Sequence, residues 1–370
     1  MAEHDQEKDE AKRETGLERR GLLKLGAAAA AGLVAGKLGA VETAPAKPPT
    51  APKAPVPPAG NLPWNPRTAG AMPTRNLGKT GFRVGIFSLG GQAAIEKPEN
   101  DAVAVPLIER ALDLGVNYAD TSARYGGEAR WSEKYFGQVM EKRRGEVFLA
   151  TKTHDRGRDG SLKLLETSLK LLRTDHVDLW QLHAMSTMED VEKVTAKGGA
   201  LEAFVEAREQ KMVRFLGLSG HTDPEVLAEA IRRFPFDVIL LAVNAADPHH
   251  LPFGKDLLPL AVEREMGIVG MKVPARGRIL AGYVPPPLEE QRGRIKATRS
   301  GTLTMAEAMR YVLTLPVSTV IVGCDSVGQL EENVAIAKAF TPLSATQMAA
   351  LETKAEPVAR QSLWFHRWEA

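Results

Sequence analysis

NYADTSARYGGEARWSE, residues 117–133, holds a strand, a tight turn and a helix start in one run. Its first six residues have the texture of a strand, a Gly-Gly turn follows, and a helix start comes next. Asp120 stands at the C-terminal end of that strand and Tyr125 in the loop after it. Two later strand-like runs end in a similar way: 147–153 (VFLATKT) carries Lys152, and 177–185 (VDLWQLHAM) carries His183. An acid, a phenol, an amine and an imidazole thus fall at the ends of three nearby strands. In a parallel barrel such ends share one face, the face on which active sites are built.

Outward from this stretch the same alternation repeats. Strand-like runs at 84–91, 117–122, 147–153, 177–185, 214–220, 238–244, 268–274 and 317–324 are each followed by helical spacing, at 101–114, 130–141, 161–172, 200–210, 224–233, 255–265, 304–313 and 327–340. Short β-branched runs alternating with amphipathic helices predict a parallel sheet. Eight such units in about 270 residues match a closed (β/α)8 TIM barrel, an α/β fold. An open doubly wound sheet would want a G-x-G-x-x-G turn after an early strand, and none is present. RNLGKTGF, residues 75–82, predicts a small hairpin ahead of the barrel.

The remaining segments divide the chain. Residues 1–44 read as an export signal: a polar start ends in Arg19-Arg20, and a mild Ala/Gly/Leu run follows. Lys24 and Lys37 bracket that run, which weakens the alternative of an uncleaved anchor in the inner membrane. The expected route is the twin-arginine export machinery and the expected location periplasmic. Residues 45–73 are rich in Pro and Ala and predict an extended linker with no fixed fold. The barrel is expected over 74–345, with a C-terminal helix and tail over 346–370. A net charge of +2 with no basic stripe gives no sign of nucleic-acid binding. Cys324 is the single cysteine, so no internal disulfide or cysteine-based metal cluster can form. His249-His250 resembles a metal pair, but no carboxylate spacing supports it, and no metal site is expected.

From about residue 75 to the last helix the chain resembles the aldo-keto reductases. That family's D-T-A-x-x-Y-G signature stands here as Asp120-Thr121-Ser122-Ala123-Arg124-Tyr125-Gly126, followed by Ser132-Glu133. Its catalytic lysine falls on Lys152 in LATKT and its histidine on His183 in DLWQLH. Each residue alone has a plain structural reading: turn tyrosine, ion-paired lysine, satisfied histidine. Their shared order, spacing and strand-end positions carry the resemblance. It implies reduction of an aldehyde, ketone or sugar to an alcohol, or the reverse, with NADP or NAD. The nicotinamide supplies the hydride, because no side chain can. Tyr125 is then the general acid/base, and a free phenol with a pKa near 10 is a sluggish acid. Lys152, held by Asp120, is expected to lower that pKa, and His183 to orient the substrate oxygen.

The resemblance also implies cofactor contacts. Ser219 falls where the family holds the carboxamide, but the usual neighbours are replaced by Gly220 and Leu240. Met271 stands where an aromatic ring often stacks on the nicotinamide, and thioether sulfur can serve as a soft apolar surface. In VIVGCDSVGQLEEN, residues 320–333, Gly323 and Gln329 occupy positions at which many relatives grip the 2′-phosphate with cations, whereas Glu332 and Asn333 match the adenine-contacting pair. Either NAD is accepted or cations arrive from elsewhere, and the basic loop 275–301 is a candidate source alongside its reading as a solvated insertion. Trp131 and His154 could line a substrate pocket or pack in core and rim. The tail from Trp364 to Trp368 could cross the barrel mouth or pack outside it. A second functional class stays open, a cofactor-binding sensor or regulatory subunit on the same barrel with little turnover.

Overall fold

In the computed structural model, which describes residues 62–368, eight parallel strands close into a barrel. A hairpin precedes them, β1 (Thr74–Asn76) paired antiparallel with β2 (Arg83–Gly85). The barrel strands are β3 (Phe87–Gly90), β4 (Tyr118–Asp120), β5 (Phe148–Thr153), β6 (Val177–Leu182), β7 (Val213–Gly220), β8 (Val238–Ala242), β9 (Gly267–Met271) and β10 (Thr319–Val322), in sequence order with β10 returning to β3. The single run expected over 84–91 is two strands: Val84 belongs to the hairpin, and the chain re-enters after Ile86 as the first barrel strand.

Strand alternation fills the barrel and sets its mouth. Side chains two apart share a face, and Tyr118, Phe148, Ala150, Leu179, Val238, Leu240 and Val269 form one buried cluster. The hairpin adds Leu77, Phe82 and Val84 to it, and Phe82 packs on Phe148 with ring centroids 4.7 Å apart. Continuing each strand by the same period carries Asp120, Lys152, Gln181, Ser219 and Met271 inward near the C-terminal ends. Register locks them: Lys152 pairs with Gln181 across β5 and β6, and Asp120 with Ala150 across β4 and β5.

Twelve α-helices complete the described residues. They are α1 (Thr68–Ala71), α2 (Asp101–Asp113), α3 (Trp131–Arg143), α4 (Arg158–Leu171), α5 (Met188–Thr195), α6 (Ala200–Glu209), α7 (Pro224–Arg233), α8 (Leu257–Glu263), α9 (Met305–Thr314), α10 (Val327–Lys338), α11 (Ala345–Ala355) and α12 (Ala359–Ser362). The second, larger apolar cluster includes the outward strand positions together with buried residues of these helices. One polar joint matters for the site. Glu133 is fully buried, accepts the Thr151 hydroxyl at 2.7 Å, and pairs with Arg130, whose guanidinium also reaches Leu164 O at 3.2 Å. It ties α3 and α4 to the strand that carries Lys152.

Two expectations need correction. Residues 62–73 are not a structureless linker. Asn65 is buried and donates to Leu112 O at 2.8 Å, Trp64 N–H reaches Gly145 O at 2.7 Å, and α1 follows. The Pro/Ala composition that dominates the linker stops short of these anchors. An extra helix, α5, lies between β6 and α6, started by a capping box in which Thr187 accepts from Asp190 N–H at 3.1 Å. Residues 1–61, with the signal and most of the linker, lie outside the described residues.

Candidate active site

Lys152 is the centre of the barrel mouth. Its ammonium donates to Asp120 Oδ1 and, at 2.7 Å, to Thr121 O, and both Asp120 and Lys152 are buried. Gln181 holds the other carboxylate oxygen, with Nε2 donating to Asp120 Oδ2 at 2.9 Å. Burial alone would lower the lysine pKa, but the Asp120 carboxylate and the Tyr125 phenol outweigh it, and Lys152 is held as a cation.

Tyr125 is placed by the turn behind it. Its N–H bonds Ser122 O at 3.0 Å, and Gly126 and Gly127 both adopt positive φ. A Cβ on Gly126 would sit 2.5 Å from Trp131 N, so the Gly-Gly pair lets the loop meet α3 closely. The Lys152 ammonium lies 4.9 Å from the Tyr125 ring centroid, and the His183 ring stands edge-on to it, 5.6 Å away at 87°. The structure therefore brings Asp120, Tyr125, Lys152 and His183 together. The expected lowering of the tyrosine pKa does not hold as a net effect. Burial pushes the phenol above its ordinary value, and the pull of Lys152 only offsets part of that rise. Burial, reinforced by Lys152, His221 and Arg124, pushes the His183 pKa well below the ordinary histidine value, so the imidazole is neutral.

Two connected cavities meet over these residues. An inner one of about 130 Å³ is lined by Tyr125, Lys152, His183, Ser219, His221 and Trp364 among others. A groove of about 550 Å³ continues past Met271, Lys272 and Arg276 to Gly323, Gln329, Glu332 and Asn333. Every residue expected at the cofactor thus lines one or both. Ser219 donates its hydroxyl to Leu182 O at 3.0 Å, so it can only accept from a ligand. No side chain fits at Gly220, where a Cβ would meet Leu227 Cδ2 at 2.7 Å and Met185 O at 2.8 Å. Gln329 is engaged locally, its Oε1 accepting from Asp325 N–H at 2.8 Å. Asn333 is buried, with Nδ2 3.5 Å from Cys324 Sγ.

The cations of loop 275–301 divide. Arg276 faces the groove, whereas Arg278 donates to Ile295 O at 2.9 Å, Lys296 to Gln291 O and Arg299 to Pro357 O. The sequence reading missed Lys272, directly before this loop. Burial and Arg276 lower its pKa to about 8. Among the described residues neither Lys272 nor Arg276 has an acidic partner within ion-pair distance. Two unpaired cations at the junction of both cavities suit an anionic ligand, so the residues present fit a phosphate-bearing cofactor. The one available signal was a lysine immediately after a strand end, in MKVPARGR.

The tail crosses the mouth. Trp364 lines the inner cavity, with Lys272, Arg276 and Arg278 at 5.8, 5.4 and 5.3 Å from its ring centroid. His250 stacks on Trp368 at 3.6 Å, and His250 Nε2 and His249 Nε2 bond the carbonyls of Arg367 and Glu352, so the histidine pair fastens the tail and α11. Trp131 stacks on Tyr135 of its own helix and does not line the inner cavity. His154 is half-buried beside Lys152 and also lies outside that lining.

The closed parallel barrel thus gathers an acid, a phenol, an ammonium and an imidazole at its C-terminal mouth. The sequence profile of the Aldo/keto reductase family matches residues 83–356, and the chain belongs to that family, whose members use NAD(P). It is similar to the uncharacterized oxidoreductase YqkF of Bacillus subtilis, 27% identical over 297 residues that span 72% of this chain and 92% of that protein. It is also similar to L-galactose dehydrogenase of Arabidopsis thaliana, 28% identical over 312 residues, 77% of this chain and 94% of that one. Among solved structures, the aldo-keto reductase AKR11C1 of Bacillus halodurans in its holo form superposes with a TM-score of 0.62 at 24% identity, covering 77% of this chain and 96% of that chain. That likeness concerns the fold.

Proposed function

We propose that the chain interconverts carbonyls and alcohols at Tyr125, with Lys152 and Asp120 supporting it and His183 orienting the substrate oxygen. The observation that carries this reading is the Lys152 ammonium between the Asp120 carboxylate and the Tyr125 ring, under a cavity shared with two unpaired cations. A reduced nicotinamide supplies the hydride when bound. Tyr125, protonated at neutral pH, gives its proton to the carbonyl oxygen. Lys152 stabilises the phenolate that this leaves, and Asp120 keeps the ammonium charged and in place. His183, neutral, hydrogen-bonds the same oxygen. Trp364 covers the mouth and limits water. Ser219 and Met271 offer the nicotinamide end an acceptor and an apolar surface. Lys272 and Arg276 offer the phosphates their charge, and Gly323, Gln329, Glu332 and Asn333 line the far end.

For the substrate we favour a hydroxylated carbonyl such as a sugar. His221 Nδ1 and Trp364 Nε1 are buried without a partner beside the inner cavity, and the other His221 nitrogen shares a hydrogen bond with the Phe365 backbone. An unpaired acceptor and an unpaired donor are what a hydroxyl satisfies. The likeness to L-galactose dehydrogenase points the same way. Export rests on Arg19-Arg20 and the apolar run after it: replacing the pair by two lysines is expected to leave the protein in the cytoplasm, and arrival of that variant in the periplasm would refute the route.

The test of the chemistry is Tyr125→Phe, which keeps the ring and removes the donor. Turnover of a carbonyl panel with NADPH or NADH is expected to fall by ~10²–10⁴, with cofactor affinity unchanged. Activity near that of the wild type would overturn the assignment.

A further inference from the structure

Ser122 stands where the signature D-T-A-x-x-Y-G carries alanine, and nothing in the proposed chemistry uses it. It is fully buried. Its Oγ lies 2.9 Å from His183 Nδ1 and accepts the Arg124 N–H at 3.2 Å. Two arrangements of the short contact exist. If Nδ1–H donated to Oγ, the Ser122 hydroxyl proton would be left buried with no acceptor among the described residues, which is unfavourable. If the hydroxyl donates to Nδ1, its proton is used, one lone pair serves Arg124, and every group is satisfied. The second arrangement therefore wins. A neutral imidazole whose Nδ1 accepts carries its proton on Nε2.

We propose that Ser122 is a positioning residue that fixes His183 as the Nε2–H tautomer, so that the ring presents a donor and not a lone pair to the substrate oxygen. A carbonyl oxygen can only accept, so the opposite tautomer could not hold it. The inference rests on reading His183 as the group that orients the substrate. The ring lies edge-on to Tyr125, and the backbone N–H of His183 bonds Thr153 O at 2.8 Å, which fixes the strand end that carries the ring. Neutrality comes from burial with Lys152, His221, Arg124 and His154 nearby.

The experiment is a two-bond ¹H–¹⁵N correlation spectrum of the full chain labelled at histidine nitrogen, with the His183 signals identified by their loss in His183→Gln. The wild type is expected to show His183 protonated at Nε2 and bare at Nδ1. In Ser122→Ala the Nδ1–H form is expected to appear, with a loss of roughly three- to tenfold in kcat/KM for carbonyl reduction, the range one neutral hydrogen bond commands. Ser122→Thr, which keeps the hydroxyl, is expected to retain the wild-type tautomer. A proton on Nδ1 in the wild type would overturn the proposal, as would an unchanged tautomer in Ser122→Ala. Should Ser122→Ala fail to fold, the wild-type spectrum decides alone. The spectrum needs no turnover, so a failure of the tautomer assignment is distinguishable from a failure of the redox reading, which Tyr125→Phe tests.

Discussion

Lys272 is a half-buried cation without a carboxylate partner among the described residues, and its pKa of about 8 says what that arrangement costs. Above about pH 8 the free protein holds it neutral; below, charged. An anionic cofactor favours the charged form, so affinity for NADP or NAD is expected to fall as pH rises through about 8, by at most about tenfold per unit. Lys272→Met is expected to bind weakly at every pH and to lose this limb. Fluorescence titration of cofactor from about pH 6 to about pH 10 checks it, and a flat wild-type profile would remove Lys272 from the phosphate site. At this scale Asp120, Tyr125, Lys152 and His183 were legible because each stands at or just beyond the end of a strand with a readable pattern. Lys272, His221 and Trp364 were not, because their meaning depends on which residues fold over them from distant segments. The direction of the Tyr125 shift was misread for a related reason: a neighbouring cation can be inferred from sequence, whereas the depth of burial that outweighs it cannot.

At the scale of elements, the end of β10 and the start of α10 set the far wall of the groove. Asp325 and Glu332 stand there with Gly323 and Gln329, and Asp325 is paired with Lys97 at 2.8 Å. Among the described residues no unpaired cation lines that end, and each missing charge-assisted contact is worth about 1.5–3 kcal/mol. The ratio of kcat/KM for NADPH over NADH is accordingly expected to stay within about tenfold. A preference beyond about a thousandfold, worth ~4 kcal/mol, would mean that a cation from loop 275–301 reaches the 2′-phosphate. The eight strands and their main helices were readable from periodicity. The join between hairpin and barrel was not, because in VGIFSLGG the glycine before Ile86 reads as a strand residue as readily as a break. Helix α5 escaped because its cap uses Asp190 where the usual box has Glu or Gln.

For the whole molecule, barrel closure is what turns scattered strand ends into one site. Inward alternation fills the bottom with Tyr118, Phe148 and the hairpin, and leaves the charged and polar residues to meet at the top. The tail then closes over them through Trp364, held by His250 on Trp368 and by Arg367 on Asp223 at 3.0 Å. The central claim is that this mouth moves a hydride and a proton to one carbonyl, the proton from Tyr125. The most direct measurement follows deuterium into product from NADPH or NADH doubly deuterated at nicotinamide C4, in the wild type and in Tyr125→Phe. One deuterium on the carbinol carbon per wild-type turnover is expected, with a rate lower by ~10²–10⁴ in the variant at unchanged cofactor affinity. Transfer by Tyr125→Phe at the wild-type rate, or product free of the label, would contradict the central claim.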